Sequence, residues 1–186
     1  MLQAKTVGAL LLCASPLLVS AFEDHANGVY VDAGNTLFRG SSSSTNSVSL
    51  GVILPWAPSA RFASGPQSLY WDLFVSNWNA HNDNGGHSNF AQVGGILNWR
   101  YRFADGNSPW FGELGLGGTV MDRTYHTVGR EFSTDFQFTE LVGVGVSLGD
   151  HGQHELALRV QHFSNAGIKE PNPGETFVKA RYTYRF

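Results

Sequence analysis

The sequence predicts an all-β fold, an eight-stranded antiparallel transmembrane β-barrel, on three observations. Alternation of apolar and polar residues with period two recurs in eight runs of roughly ten residues each. No stretch after residue 21 approaches the roughly 18 consecutive apolar residues of a helical span. Composition combines 22 glycines and 13% aromatic residues with only 15% charged residues, which suits twisted strands facing an apolar medium and not a disordered chain.

Asn27 to Phe38 forms the first run, and Val48, Leu50 and Val52 mark a second that ends at Pro55. Leu69, Trp71, Leu73 and Val75 mark the third. In the fourth, Val93, Leu97, Trp99, Tyr101 and Phe103 alternate with Gln92, Asn98, Arg100 and Arg102. Pro109 to Met121 is the fifth, with Leu114, Leu116 and Val120 on one parity. The sixth, Phe136 to Leu148, sets Val142, Val144, Val146 and Leu148 against Gly143, Gly145 and Ser147. Leu156, Leu158 and Val160 alternate with Glu155, Arg159 and Gln161 in the seventh. Val178, Ala180, Tyr182, Tyr184 and Phe186 alternate with Lys179, Arg181, Thr183 and Arg185 in the eighth. Glycine, proline, asparagine or aspartate bounds each run, as turns require.

Arginines opposite dense aromatics on tightly neighbouring strands place lipid outside and polar groups in the lumen. Carboxylates such as Glu113, Glu140 and Glu155 are the expected lumenal partners of those arginines. A soluble ligand-binding barrel would invert this pattern.

Residues 1–21 read as a secretory signal peptide, with Lys5 before an apolar run and Val19-Ser20-Ala21 supplying small residues for cleavage; residues 22–186 form the barrel. The only cysteine, Cys13, falls in the leader, so no disulfide is expected in the mature chain. A net charge of −3 without a basic stretch excludes nucleic acid as a partner. The final run ends on Phe186, which resembles the terminal strand of outer-membrane barrels. Eight strands put both termini on one side, the periplasm in a bacterial barrel. Arg39–Asn46, Trp78–Ser88, Asp122–Thr134 and Asn165–Gly174 then become outer loops.

The seventh strand carries an anomaly. The parity of Leu156, Leu158 and Val160 continues to His162 and Ser164, so two polar groups point at the membrane near its outer edge. That is costly unless it serves a purpose. Residues i and i+2 on a strand share a face, about 7 Å apart, within reach for a base to activate a serine. His-x-Ser alone is a weak signal, and an interfacial pair binding lipid headgroups has the same pattern.

The residues that follow add weight. His162-Phe163-Ser164-Asn165-Ala166-Gly167-Ile168-Lys169-Glu170-Pro171-Asn172-Pro173-Gly174 closely resembles the signature of the PagL family of lipid A 3-O-deacylases. Pro109 to Gly117 also looks like that family's fifth strand. The resemblance extends over essentially the whole mature chain and is sharp over residues 162–174. It implies a serine-type ester hydrolase of the cell outer membrane, acting on lipid A of lipopolysaccharide and releasing the 3-O-linked 3-hydroxyacyl chain. His162 would be the base and Ser164 the nucleophile, with Asn165, Gly167 and Asn172 in the loop that stabilises the oxyanion. Lys169 is placed to contact a lipid A phosphate, or to be a solvated loop lysine. No metal or cofactor is implied. A homodimer is compatible with an aromatic outer wall and is not demanded by it.

The chain departs from the family at one position. The family's acid stands fourteen residues after the histidine, where this chain has Thr176; Glu175 is one residue earlier. A bulge near Gly174 would bring Glu175 to His162 as the orienting acid. Without one, a His162–Ser164 dyad with Asn172 as orienter is the expectation.

Other polar groups are weaker candidates. His81 to His87 lacks the spacing of a calcium loop. His151 and His154 flank a turn and are expected to be solvated, Ser41–Ser44 read as loop, and Asp135 with His126 imitates an acid–base pair. The competing functions are a non-catalytic adhesion or integrity barrel and another lipid A acyl-modifying enzyme, which would need an acyl cavity in the lumen.

Overall fold

The computed structural model describes residues 22–37 and 44–186. The expected leader at residues 1–21, Phe38 at the end of the first run and Ser41–Ser43 lie outside the described residues. Eight strands form a closed barrel in which each pairs antiparallel with its neighbours in sequence, and the first pairs with the last. They are β1 (Gly28–Thr36), β2 (Thr45–Trp56), β3 (Gln67–His81), β4 (His87–Arg102), β5 (Trp110–Met121), β6 (Phe136–Leu148), β7 (His154–Ser164) and β8 (Glu175–Arg185). The closing seam runs without a break from Gly28 opposite Arg185 to Thr36 opposite Phe177. Gly34 lies so close to Val178 across this seam that a Cβ would collide with the Val178 carbonyl. Closure pairs the backbone of both terminal strands, which a barrel in hydrocarbon requires.

The alternation read from the sequence is the inside–outside alternation of the wall. Leu50, Val75, Val93, Leu116, Val142 and Leu158 are exposed outward. Arg100, Arg102, Arg159, Lys179, Arg181 and Arg185 are buried in the lumen. Asp24, Asp32, Asp72, Glu113 and Glu155 meet them there in one network. Arg159 Nε is 2.6 Å from Glu113 Oε1, and Arg100 Nη1 is 2.6 Å from Glu155 Oε1. The expected lumenal roles of Glu113 and Glu155 hold. Glu140 differs: it shares parity with Val142 and is exposed on the outer wall. The arginines did attract carboxylates, but parity and not charge decides which face a strand residue takes.

The lumen changes character towards the end away from the termini. There Trp78, Phe90, Tyr125, Phe132, Phe163 and Phe177 pack into a buried cluster. Tyr125 and Phe132 come from the β5–β6 loop, which folds inward on a two-residue ladder of His126–Thr127 with Arg130–Glu131. β3 and β4 continue as a hairpin to His81 and His87, so the turn there is shorter than the expected loop. With ions below and aromatics above, the lumen is a packed core.

Candidate active site

His162 and Ser164 occupy the last turns of the β7 pleat, half-buried on the outer wall at the end opposite the termini. The register gives each its neighbours: His162 lies between Glu140 of β6 and Thr176 of β8, and Ser164 lies beside Phe138 of β6. The imidazole leans towards β8. Its Nδ1 is 2.8 Å from Thr176 Oγ1. Its other edge lies over Gly174, where an added Cβ would stand 2.6 Å from Cε1 and 3.0 Å from Nε2. Gly174 has φ +64, in the left-handed region, so glycine serves both the turn and the ring's room there. Ser164 Oγ has no hydrogen-bond partner among the described residues.

β7 and β8 pair in regular register through Glu175 opposite Phe163, with no bulge. Glu175 therefore faces the lumen, buried, 3.3 Å from Arg130 Nη1 and 3.3 Å from the Tyr125 hydroxyl. The expectation that Glu175 orients His162 is corrected: the unbroken pleat sends its carboxylate to the other side of the wall. Thr176 takes the place at Nδ1. Asn172 is not the orienter either, since its Oδ1 accepts the Asn165 backbone N–H at 3.0 Å.

The loop that follows Ser164 is built by Asn165. Its Oδ1 accepts the Gly167 N–H at 2.9 Å, and its Nδ2 donates to the Lys169 carbonyl at 2.7 Å and to Ser133 Oγ at 3.0 Å. Ser133 Oγ donates to the same Lys169 carbonyl at 2.6 Å, and Arg130 Nη1 to the Gly174 carbonyl at 2.7 Å. The β5–β6 loop thus clamps both ends of the site loop. Two of the three expected oxyanion residues, Asn165 and Gly167, already have their donors engaged. Asn172, held through Oδ1 by the N–H of the residue after Ser164, has an Nδ2 with no partner among the described residues.

Sequence reasoning missed Thr176 as the partner of His162, although the parity it shares with Val178 carried the signal. It also missed the clamp from Arg130 and Ser133, which stand in a loop without periodicity. Among the remaining candidates, His126 pairs with Asp83 at 2.7 Å and not with Asp135, which accepts from Thr124. His154 faces outward and bonds the Tyr182 hydroxyl at 2.8 Å. The described residues contain no group of three or more metal-ligating side chains.

Three comparisons bear on this arrangement. The family model of lipid A 3-O-deacylase (PagL) matches residues 46–185. A lipid A deacylase PagL of Bordetella bronchiseptica is 43% identical over 74 residues, 40% of either chain. That of Pseudomonas aeruginosa is 31% identical over 129 residues, 67% of this chain and 69% of the relative. Among solved structures, the crystal structure of the outer membrane enzyme PagL superposes with a TM-score of 0.65 at 22% identity, covering 86% of this chain and 99% of that one. Neisserial surface protein A superposes with a TM-score of 0.51 at 15% identity, covering 86% and 97%. These two likenesses concern the fold.

Proposed function

The chain belongs to the lipid A 3-O-deacylase (PagL) family, and we propose that it hydrolyses the ester holding the 3-hydroxyacyl chain at position 3 of lipid A, with Ser164 as nucleophile and His162 as base. The observation that carries the reading is an outward-facing histidine and serine on a lipid-facing wall, with the imidazole fixed through Nδ1 by Thr176. A neutral imidazole that donates Nδ1–H to Thr176 Oγ1 presents a lone pair at Nε2. Nε2 takes the Ser164 proton as Oγ adds to the ester carbonyl carbon. The tetrahedral oxyanion accepts a hydrogen bond from Asn172 Nδ2. Collapse breaks the bond to the sugar oxygen, which receives the proton from the imidazolium. A water, deprotonated at the same Nε2, then cleaves the acyl-enzyme to give a free 3-hydroxy fatty acid and restore Ser164.

Location supports the same reading. The site lies on the outside of the wall at the end away from both termini. With the termini periplasmic and residues 1–21 an export signal, it faces the outer leaflet, where lipopolysaccharide resides. His162, Ser164, Thr176 and Asn172 lie on β7, on the start of β8 and in the loop between them. Ion pairs and a buried aromatic cluster occupy the lumen, which disfavours a lipid A enzyme that would bind an acyl chain inside.

Mass spectrometry of lipid A from lipopolysaccharide incubated with the refolded protein in detergent tests the proposal. Loss of one 3-hydroxyacyl group with the wild type, absent with a folded Ser164→Ala variant, is the expected result. Unchanged lipid A in both would overturn it.

A further inference from the structure

Glu140 is a carboxylate on a wall meant for lipid. It stands on the parity of Val142 and Val144, exposed, with Leu116 opposite on β5. On its β5 side it borders an apolar groove lined by Leu69, Leu97, Trp99 and Leu114. It has no hydrogen-bond or ion-pair partner among the described residues. A lone carboxylate facing hydrocarbon is costly, and side chains of this kind mark function. Six other carboxylates of this chain, Asp24, Asp32, Asp72, Glu113, Glu155 and Glu175, are paired on the lumenal side, so nothing in the barrel's construction requires one outside.

On β7, the residue directly across from Glu140 is His162. Cβ atoms of directly opposed antiparallel residues are about 4.5–5.5 Å apart, well inside the reach of a glutamate side chain. The base thus has a neutral hydroxyl on its β8 side and a carboxylate on its β6 side. These two partners do different things. Thr176 holds the ring and fixes which nitrogen carries the proton. A hydroxyl cannot balance the positive charge that appears on the ring when Ser164 loses its proton. In an apolar, poorly screened setting that charge is expensive, and a carboxylate one strand away offsets much of it.

We propose that Glu140 is the positioning residue that supplies the negative charge for His162, so that orientation by Thr176 of β8 and charge compensation by Glu140 of β6 divide between two strands the work of a single triad acid. The inference rests on the functional reading above, and deepens it. Glu140 touches no reacting atom and acts through the imidazole alone. The other charged groups near His162 do not compete for this role: Glu175 and Arg130 are bound to each other on the lumenal side. Lys169 sits in the loop beyond, with its carbonyl held by Asn165 and Ser133.

The test uses the full refolded barrel in detergent with lipopolysaccharide as substrate, and unboiled electrophoretic mobility as the check on folding. Glu140→Gln keeps the shape and removes the charge. Its kcat is expected to fall about tenfold or more while KM stays within about twofold, the pattern of a group felt only in the transition state. Glu140→Asp is expected to recover most of the loss. Thr176→Glu placed on Glu140→Gln, which returns a carboxylate to the ring from the other strand, is expected to recover part of it. A merely structural Glu140 would give none of these recoveries. A folded Glu140→Gln with wild-type kcat overturns the proposal, as does a loss that appears in KM and that neither carboxylate variant restores. The failures are separable. An inert wild type, or an active Ser164→Ala, defeats the functional reading itself; an active wild type, a dead Ser164→Ala and an unaffected Glu140→Gln defeat this inference alone.

Discussion

The two faces of β7 handle polar side chains in opposite ways. Inward, Arg159 bonds Glu113, Asp72 and the Tyr70 hydroxyl, and Gln161 donates to Thr139. Outward and one residue along, His162 has Thr176 alone, and Ser164 Oγ has no partner at all among the described residues. One strand thus carries a saturated polar face and an unsaturated one. Buried polar groups normally find partners, and those that do not ask for an explanation. The inner face of β7 stabilises the barrel because its Arg159 and Gln161 side chains have acceptors. The outer face suits the proposed chemistry because His162 is held at Nδ1 while Ser164 Oγ is left free.

The largest effect expected from breaking this contrast lies inside. Arg159→Met leaves Glu113 and Asp72 short of their shared cation in the lumen, and should destabilise the barrel by about 3–5 kcal/mol. The urea midpoint of the refolded protein reads this, while kcat of the fraction that folds stays near wild type. The converse comes from the mouth of the site. Asn172→Ala should lower kcat about a hundredfold to a thousandfold in lipid A deacylation, with the unfolding midpoint barely moved. Thr176→Val is subtler, since it removes one hydrogen bond at the ring. A fall in kcat of up to about tenfold, corresponding to about 0.5–1.5 kcal/mol, is expected, with KM unchanged. A large loss of stability in Thr176→Val would blur the division between faces.

The smallest effect concerns Asp24, which precedes β1 and reaches Arg102 at 2.6 Å and Arg100 at 3.0 Å. Burial opposes its ionisation, but the hydrogen bond from Arg102 and the charges of Arg100, Arg102 and Arg185 outweigh that and hold its carboxyl well below the usual range. A depressed carboxyl adds stability above its unfolded value, about 3.9, and loses it as the pH falls through its folded value. Thermal unfolding of the wild type and Asp24→Asn should therefore differ at neutral pH and converge in strong acid.

The strands were legible because a half-buried strand writes its two faces into alternate residues; Val142 opposite Gly143 and Arg181 opposite Tyr182 each state their side of the wall. His162 and Ser164 were legible for the same reason, as polar residues on an apolar parity. Glu140 obeyed the parity rule and was misplaced because attraction to arginine was weighed above it. The orienting group depended on whether β7 and β8 pair with or without a bulge, which no single strand records. The motif alone points to Asn165 and Gly167 as oxyanion donors. That their donors close the loop on itself emerges only once Lys169 and Ser133 are brought together in space.

The placement of Ser164 on the convex side of a closed sheet has a kinetic corollary. On the proposed reading, a membrane-anchored substrate meets Ser164 by sliding sideways, so encounters occur in a plane and not in a volume. Turnover should then follow the mole fraction of substrate among the surrounding amphiphiles, and added inert detergent should slow the enzyme at constant bulk concentration.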